Sequence, residues 1–333
     1  MKPKILTGIR PTGALHIGHY LGMLEQTAAL QDDFEVFLMI ADVQALTDHF
    51  HEPQRVREAV MEVALGAFSC GIDPAKTTLF IQSLVPEIAE LTVFFGNLVT
   101  VTRLEQNPTL KAEIARKREL FGKSVTYGFP GYPLSQAANI AVFDAAVVPV
   151  GADQLPMIEQ TREIVRKFNR LYGETLIEPE ARVVDAARVR GLDGGAKMGK
   201  SLGNAVSLDD SSAAVSCKVM SAMTDPLKLR LHDVDRPEVC TVFAYHELFN
   251  AANVATVAAE CRVGTRGCVS CKCELSAQLD SFLEPIRARR STLEPTATMR
   301  VLLEGTQRAR RIARSTMARV KRTMKLNYEL ESL

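Results

Sequence analysis

The stretch TGIRPTGALHIGHYLG, from Thr7 to Gly22, constrains this chain more than any other. It follows Lys4-Ile5-Leu6, a short apolar run that reads as a strand, and it runs into Tyr20–Leu24, where the apolar spacing is helical. Pro11 and three glycines (Gly8, Gly13 and Gly18) lie between, so the segment predicts a strand, a tight loop and a helix. A helix start has unpaired N–H groups and the positive end of the dipole, which suits phosphate. His16 and His19 are three apart and so share one helical face. As neutral rings they can donate hydrogen bonds without carrying a fixed charge. Taken alone, the pattern fits the first turn of a Rossmann-like unit with incidental histidines.

The rest of the first two-thirds alternates in the same way. Glu35–Ala41, Thr77–Gln82 and Ala145–Val150 are apolar runs suited to buried parallel strands. Helical spacing covers Pro53–Cys70, Val85–Val99 and Leu155–Tyr172. A further helix is expected from Tyr132, with Pro133 in its first turn. Residues 104–125 read as an exposed helix or loop, and residues 173–196 as loop. Beyond Asp209 the pattern is helical to the end. Such alternation predicts an α/β fold, a Rossmann-like parallel sheet plus an all-helical C-terminal part, with ligands at the carboxyl ends of the strands.

The glycine-rich stretch 191–196 delivers Lys197-Met198-Gly199-Lys200-Ser201, two lysines three apart on a segment that could reach a polyphosphate. No apolar run approaches the ~20 residues that span a bilayer, and the opening Met1-Lys2-Pro3-Lys4 has no signal-peptide character, so a cytoplasmic enzyme without a membrane partner is expected. The net charge of +1 hides an asymmetry. Residues 281–333 hold twelve Lys/Arg against five Glu, which points either to nucleic acid or to a solvated helical face. Five of the seven cysteines lie within residues 240–273, a clustering that favours metal over disulfide. Cys70 and Cys217 stand apart and read as buried apolar residues.

His16-Ile17-Gly18-His19 resembles the HIGH signature of class I aminoacyl-tRNA synthetases, and Lys197–Ser201 resembles their KMSKS signature, with Gly199 for the first serine. Between the two, Val148–Gln154 and Ile158–Glu163 resemble the tryptophanyl-tRNA synthetases in particular. So do Gly8–Gly13 and Glu304-Gly305-Thr306. The resemblance runs from residue 3 to about residue 328. A tyrosyl-tRNA synthetase shares fold and signatures but matches these inner segments less well. Cys240, Cys261, Cys268 and Cys271 resemble the cysteines of a branch that carries a [4Fe–4S] cluster. Their spacing by itself suits Zn²⁺ equally.

The resemblance implies that L-tryptophan is activated with ATP and Mg²⁺ and then passed to tRNA(Trp) by a homodimer. It implies a catalytic domain of residues 1–105 and 176–209. Residues 106–175 would be an inserted segment carrying the dimer surface and amino-acid pocket, and residues 210–333 a helical anticodon-binding domain. ATP would meet Arg10, Pro11, Thr12, Gly18, His19, Gly151, Ala152, Asp153, Val189, Lys197, Met198, Gly199, Lys200 and Ser201, with His16, His19, Lys197 and Lys200 catalytic. Tryptophan would meet Tyr132, Gln136, Gln154, Gln44 and Asn139. Asn139 and Gln44 depart from the acid and histidine expected there. Asn139 is expected to accept the indole N–H through its side-chain oxygen, without charge assistance. The departures suggest as an alternative an auxiliary paralogue tolerant of an inhibitor or of a modified indole.

Overall fold

The computed structural model describes residues 2–121, 124–183, 189–195, 198–199, 202–234 and 236–328. Five parallel strands form one sheet: β1 (Lys4–Ile9), β2 (Glu35–Ile40), β3 (Thr77–Ile81), β4 (Val147–Val150) and β5 (Glu180–Val183). Their order is β3-β2-β1-β4-β5. β1 pairs with β2 from Lys4 opposite Glu35 to Ile9 opposite Ile40. The chain winds outward from β1 in one direction and then, from β4, in the other. Ligands of such sheets bind in the crevice where the winding reverses, here beyond the carboxyl ends of β1 and β4.

Side chains alternate across the sheet and build two cores. Leu6, Phe37, Met39 and Phe80 face one side, while Ile9, Leu38, Ile40 and Leu79 face the other. Residues 17–30 are helical (α1), with a wide π turn at Tyr20–Leu24, and are followed after β2 by α2 (Asp42–His49) and α3 (Pro53–Ser69). Next come α4 (Glu87–Gly96), α5 (Val101–Glu105), α6 (Pro108–Arg116), α7 (Arg118–Phe121), α8 (Gly128–Val142) and α9 (Leu155–Tyr172). The C-terminal part holds α10 (Ser212–Met220), α11 (Thr241–Phe249), α12 (Val254–Arg262), α13 (Cys268–Ser291) and α14 (Pro295–Thr323). Its helices share a core with the sheet: Leu275, Leu279 and Leu283 of α13 belong to the cluster that contains Val60 and Val63 of α3.

Helix α14 returns to the sheet and covers the edge strand β3. Gly305 lies so close to β3 that a Cβ there would stand well inside 3.0 Å of the Leu79 carbonyl oxygen. The next residue, Thr306, accepts the Ile81 N–H on its Oγ1 at 3.1 Å. The Glu304-Gly305-Thr306 motif is therefore an edge cover, a small residue for approach followed by a hydroxyl for the exposed amide.

Several details differ from the sequence expectations. Strand β5, within the stretch read as loop, carries Glu180 and Arg182 and lies at the sheet edge, so its charges masked it. Helix α8 begins at Gly128 and runs through Pro133 rather than starting beside it. Packing of its buried face, Phe129, Leu134, Ala137 and Ala138 among others, outweighs the backbone bond that Pro133 cannot make. Strand β4 lies inside the span 106–175 read as an insertion, yet it pairs with β1, so the sheet draws on that span. Cys70 is buried as expected, but Cys217 is exposed on α10, where the apolar face is set by Val215 and Val219 instead.

At least half of the twelve basic residues of the C-terminal segment bond to residues before position 150. Arg289 donates to the Ser69 carbonyl, Arg290 pairs with Glu62, Arg310 and Arg314 with Glu87, Arg319 with Asp144, and Lys321 with Glu90. These residues fasten α13 and α14 to the sheet-bearing part of the chain, so their charge surplus is not in itself a nucleic-acid surface.

Candidate active site

The loop after β1 and the start of α1 are fixed by histidines acting as caps. His16 is the N-cap: its Nδ1 accepts from Gly18 N at 3.1 Å, while its own N–H donates to His19 Nδ1 at 3.2 Å. This is a capping box in which both roles fall to imidazoles. Accepting at Nδ1 places the proton of each neutral ring on Nε2, so both rings are donors through Nε2. Their centroids are 3.8 Å apart. Gly18 is required by this geometry, since a Cβ would come within 2.9 Å of the His16 ring.

The two signature regions meet. His16 forms an antiparallel bridge with Ser207, Ile17 N donates to Val206 O at 3.0 Å, and Leu208 N donates to Leu15 O at 2.9 Å. The Met198 sulfur lies 3.8 Å from where a Gly18 Cβ would sit, and Met198 is buried. Gly199 N donates to Asn204 Oδ1 at 2.8 Å, and Asn204 Nδ2 donates to Asp193 Oδ1 at 2.9 Å. Tandem bonds to Gly195 N and Asn204 hold the Asp193 carboxyl below its ordinary range. Lys197, Lys200 and Ser201 lie outside the described residues, but the flanking Met198 packs beside the histidine turn and Gly199 is held by Asn204. Val189 is buried, and its carbonyl accepts from Met198 N at 3.2 Å.

The other expected residues stand at the carboxyl ends of the strands. Arg10, Pro11 and Thr12 follow β1. Gly151, Ala152, Asp153 and Gln154 follow β4, and the Asp153 carbonyl accepts from Thr109 Oγ1 of α6 at 2.9 Å. A Cβ at Gly151 would reach within 2.8 Å of Asp153 Oδ1, so glycine is what lets that carboxylate fold back. Tyr132, Gln136 and Asn139 fall at i, i+4 and i+7 of α8, one face of the helix. Burial drives the Tyr132 phenol pKa upward, with Glu113 next to it adding to the effect.

Asn139 is buried to 1% exposure and is oriented by a chain of bonds. Gln44 N donates to Gln82 Oε1 at 3.1 Å, and Gln82 Nε2 donates to Asn139 Oδ1 at 3.1 Å. A backbone N–H starts the chain, so both amides are fixed in orientation. The Asn139 oxygen, expected to face a ligand donor, is thus already engaged by Gln82. Asn139 Nδ2 is buried without an acceptor among the described residues. Gln82 was missed in the sequence, although its place at the end of β3 is a legible signal.

Cys240, Cys261, Cys268 and Cys271 line one small cavity, together with Thr224 and Arg266. They reach it from the residue before α11, from α12 and from the first turn of α13. Hydrogen bonding from Cys261, then the Arg266 guanidinium, hold the Cys271 thiol below its usual range despite burial. Cys271 Sγ also lies 3.3 Å from His246 Nε2. Cys273 is exposed. Among the described residues no three His, Cys, Asp or Glu side chains already stand as a metal-holding group. Four thiols around one cavity beside a cation nevertheless suit a thiolate-bound group in kind. No described helix is long and apolar enough to cross a membrane.

Comparison with known proteins agrees with this geometry. Residues 1–284 match the family described as tRNA synthetases class I (W and Y). A tryptophan–tRNA ligase of Streptococcus pyogenes serotype M1 is 47% identical over 341 residues, covering 98% of this chain and 99% of that one. That of Clostridium longisporum is 46% identical over 336 residues, covering 98% of each. The crystal structure of tryptophanyl-tRNA synthetase from Campylobacter jejuni complexed with ADP and tryptophan superposes with a TM-score of 0.84. It is 30% identical, and the match covers 97% of this chain and 100% of that one. A tyrosyl-tRNA synthetase from Archaeoglobus fulgidus superposes with a TM-score of 0.66 at 20% identity, covering 87% of this chain and 90% of that one, which is a likeness of fold.

Proposed function

The chain belongs to the class I tryptophanyl-tRNA synthetases, and from that premise we propose how its residues divide the reaction. It activates L-tryptophan with ATP and transfers the product to tRNA(Trp). A tryptophan carboxylate oxygen attacks the α-phosphorus of ATP, the bond to the β-phosphate breaks, and pyrophosphate leaves. The 2′-hydroxyl of the terminal tRNA adenosine then attacks the acyl carbon and AMP leaves. Neither step needs a covalent enzyme intermediate, so the residues act by positioning and charge neutralisation.

His16 and His19 stabilise the α-phosphate region as neutral Nε2–H donors, with the helix start behind them. Arg10, Pro11, Thr12 and Gly18 shape the phosphate loop, and Lys197 and Lys200 hold the β- and γ-phosphates, with Met198, Gly199 and Ser201 completing that loop. Mg²⁺, when bound, shares the phosphate charge. Gly151, Ala152 and Asp153 serve the nucleoside, Asp153 the ribose, with Val189 beside the base. Tyr132, Gln136 and Gln154 serve tryptophan's amino group and its surroundings. The observation that supports this reading is the contact of the histidine turn with Met198 and with residues 206–208, which brings two sequence-distant segments together.

We assign the four cysteines Cys240, Cys261, Cys268 and Cys271 to a [4Fe–4S] cluster, with Zn²⁺ as the alternative. When bound, the group would be held by the residue before α11, by α12 and by the first turn of α13. The helical part would read the anticodon, and a second copy would dock on the inserted segment, where Tyr127 and Leu171 are 88% and 55% exposed. The setting is the cytoplasm, where tRNA is charged.

A second reading concerns the pocket alone. The orphaned Asn139 Nδ2 offers a donor next to the side-chain oxygen that Gln82 already occupies, which supports an auxiliary enzyme tolerant of an inhibitor or a modified indole. The test is amino-acid-dependent ATP–pyrophosphate exchange with all twenty amino acids, repeated with Asn139→Asp. Exchange driven by tryptophan alone, with the Asp variant lowering the tryptophan KM by about tenfold, is expected from one charge-assisted bond. No tryptophan-driven exchange in either protein would refute the assignment.

A further inference from the structure

Asp48 ends α2 with its side chain 4% exposed, yet three donors converge on it. Arg10 Nη2 and His49 Nδ1 share Oδ1, the latter at 2.8 Å, and Lys117 Nζ holds Oδ2. These groups come from three separate regions. Arg10 leaves the phosphate loop directly after β1. Lys117 is the C-cap of α6, where the chain turns into α7. Burying a carboxylate this deeply is unfavourable unless strong partners compensate, so the constellation is specified rather than incidental.

Arg10 and Lys117 bring two cations to one carboxylate. Burial, followed by the nearby Arg10 and Arg55, pushes the His49 pKa below its usual value, so His49 is a neutral donor here. Arg10 also faces Glu113 and Tyr132, and its Nε is buried without an acceptor among the described residues. One carboxylate therefore holds two like-charged side chains side by side at the edge of the phosphate loop. Without it they would repel each other across a poorly solvated gap.

We propose that Asp48 is a positioning residue for adenylate formation: it aims Arg10 at the ATP phosphates and ties the phosphate loop to the α6–α7 turn through Lys117. This rests on the reading of Arg10 as an ATP contact. Asp48 itself touches no reactant and acts through its two cations.

The test is ATP–pyrophosphate exchange on Asp48→Asn, Arg10→Ala, the double variant and Lys117→Ala, with thermal melts alongside. Asp48→Asn is expected to raise the ATP KM about tenfold while the tryptophan KM stays within about twofold, since only the interaction with ATP is weakened. Arg10→Ala is expected to raise it similarly, and the double variant no further, because residues that act through one another are not additive. A raised ATP KM in Arg10→Ala but not in Asp48→Asn overturns the positioning role and leaves the Arg10 reading intact. An unchanged ATP KM in Arg10→Ala removes that reading and the proposal with it. A lower melting point with both KM values unchanged in Asp48→Asn makes the residue structural only and overturns the proposal. If Asp48→Asn does not fold, Lys117→Ala decides from the more exposed end. A rise of about threefold in the ATP KM supports the coupling, and no rise overturns it.

Discussion

Replacing Gly305 with alanine probes how α14 is bound to the sheet. The added Cβ would press on the Leu79 carbonyl oxygen, a backbone atom within a paired strand that cannot rotate away. Relief requires α14 to retreat by about an ångström, an overpacking cost of about 2 kcal/mol. The retreat also stretches the Thr306 Oγ1 bond to Ile81 N–H, and a buried amide left unpaired costs about another 2 kcal/mol. Alanine's better helix propensity returns about 1 kcal/mol. The net loss is about 3 kcal/mol, which for a chain of this length lowers the melting midpoint by about 4 °C. Circular dichroism would follow the melt, and hydrogen exchange at the Ile81 amide would report the local opening. Thr306→Val isolates the hydrogen-bond part. Gly131→Ala, where a Cβ meets nothing within 4 Å, serves as a control and should be neutral or slightly stabilising. A Gly305→Ala protein with an unchanged midpoint and a still protected Ile81 amide would refute the edge-cover account. Because Gln82 follows β3 directly, the same variant should also raise the tryptophan KM.

Two further outcomes follow from other parts of the molecule. Cys268→Ser should abolish visible absorption in anaerobically purified protein, whereas retained colour would exclude Cys268 as a ligand and bound zinc would replace the cluster. Glu178 is held by Arg166 and Arg162 of α9, and these bonds bring its carboxyl down from 4.5 to about 2. A depressed carboxylate contributes stability that is present above its unfolded pKa and lost as pH falls through the folded value. Amides of β5, two residues on, should therefore exchange faster as pH is lowered from 4.5 towards 2, after correction for intrinsic rates. Exchange that does not respond over that range would show that the ion pairs do not hold the edge strand.

Much of the fold was legible because its signals are local. Strands β1 to β3 are apolar runs bounded by turns, and α9 carries a helical stripe from Met157 to Phe168 that packs on the sheet. The elements that escaped depend on contacts distant in sequence. Strand β5 has four residues and an exposed, charged edge, so only its pairing with β4 makes it a strand. Helix α8 crosses two prolines and two glycines in its first turns, and its stability comes from the apolar face it buries beneath α4. Propensity is a weak prior beside such packing.

The site divides along the same line. The histidines were legible as a helix start, but their mutual capping, which sets the tautomers, depends on a geometry that letters do not carry. Asn139 could be singled out by type, whereas the direction of its amide follows from Gln44 and Gln82 on two other elements. The C-terminal charge is the most instructive case. Its surplus suits either a nucleic-acid surface or a solvated helical face, yet Arg290, Arg310, Arg314, Arg319 and Lys321 each find a carboxylate on the sheet-bearing part of the chain. The compensating acids, Glu62, Glu87, Glu90 and Asp144, lie between roughly 170 and 240 positions away in sequence. A charge run counted along the chain measures only what must be neutralised; whether RNA or the protein itself supplies the counter-charge is decided by the fold. Two cations share one carboxylate both at Glu87, with Arg310 and Arg314, and at Asp48, with Arg10 and Lys117; of these only the Asp48 pair includes a residue that directly follows β1, at the carboxyl end of the sheet where an anionic reactant would be met.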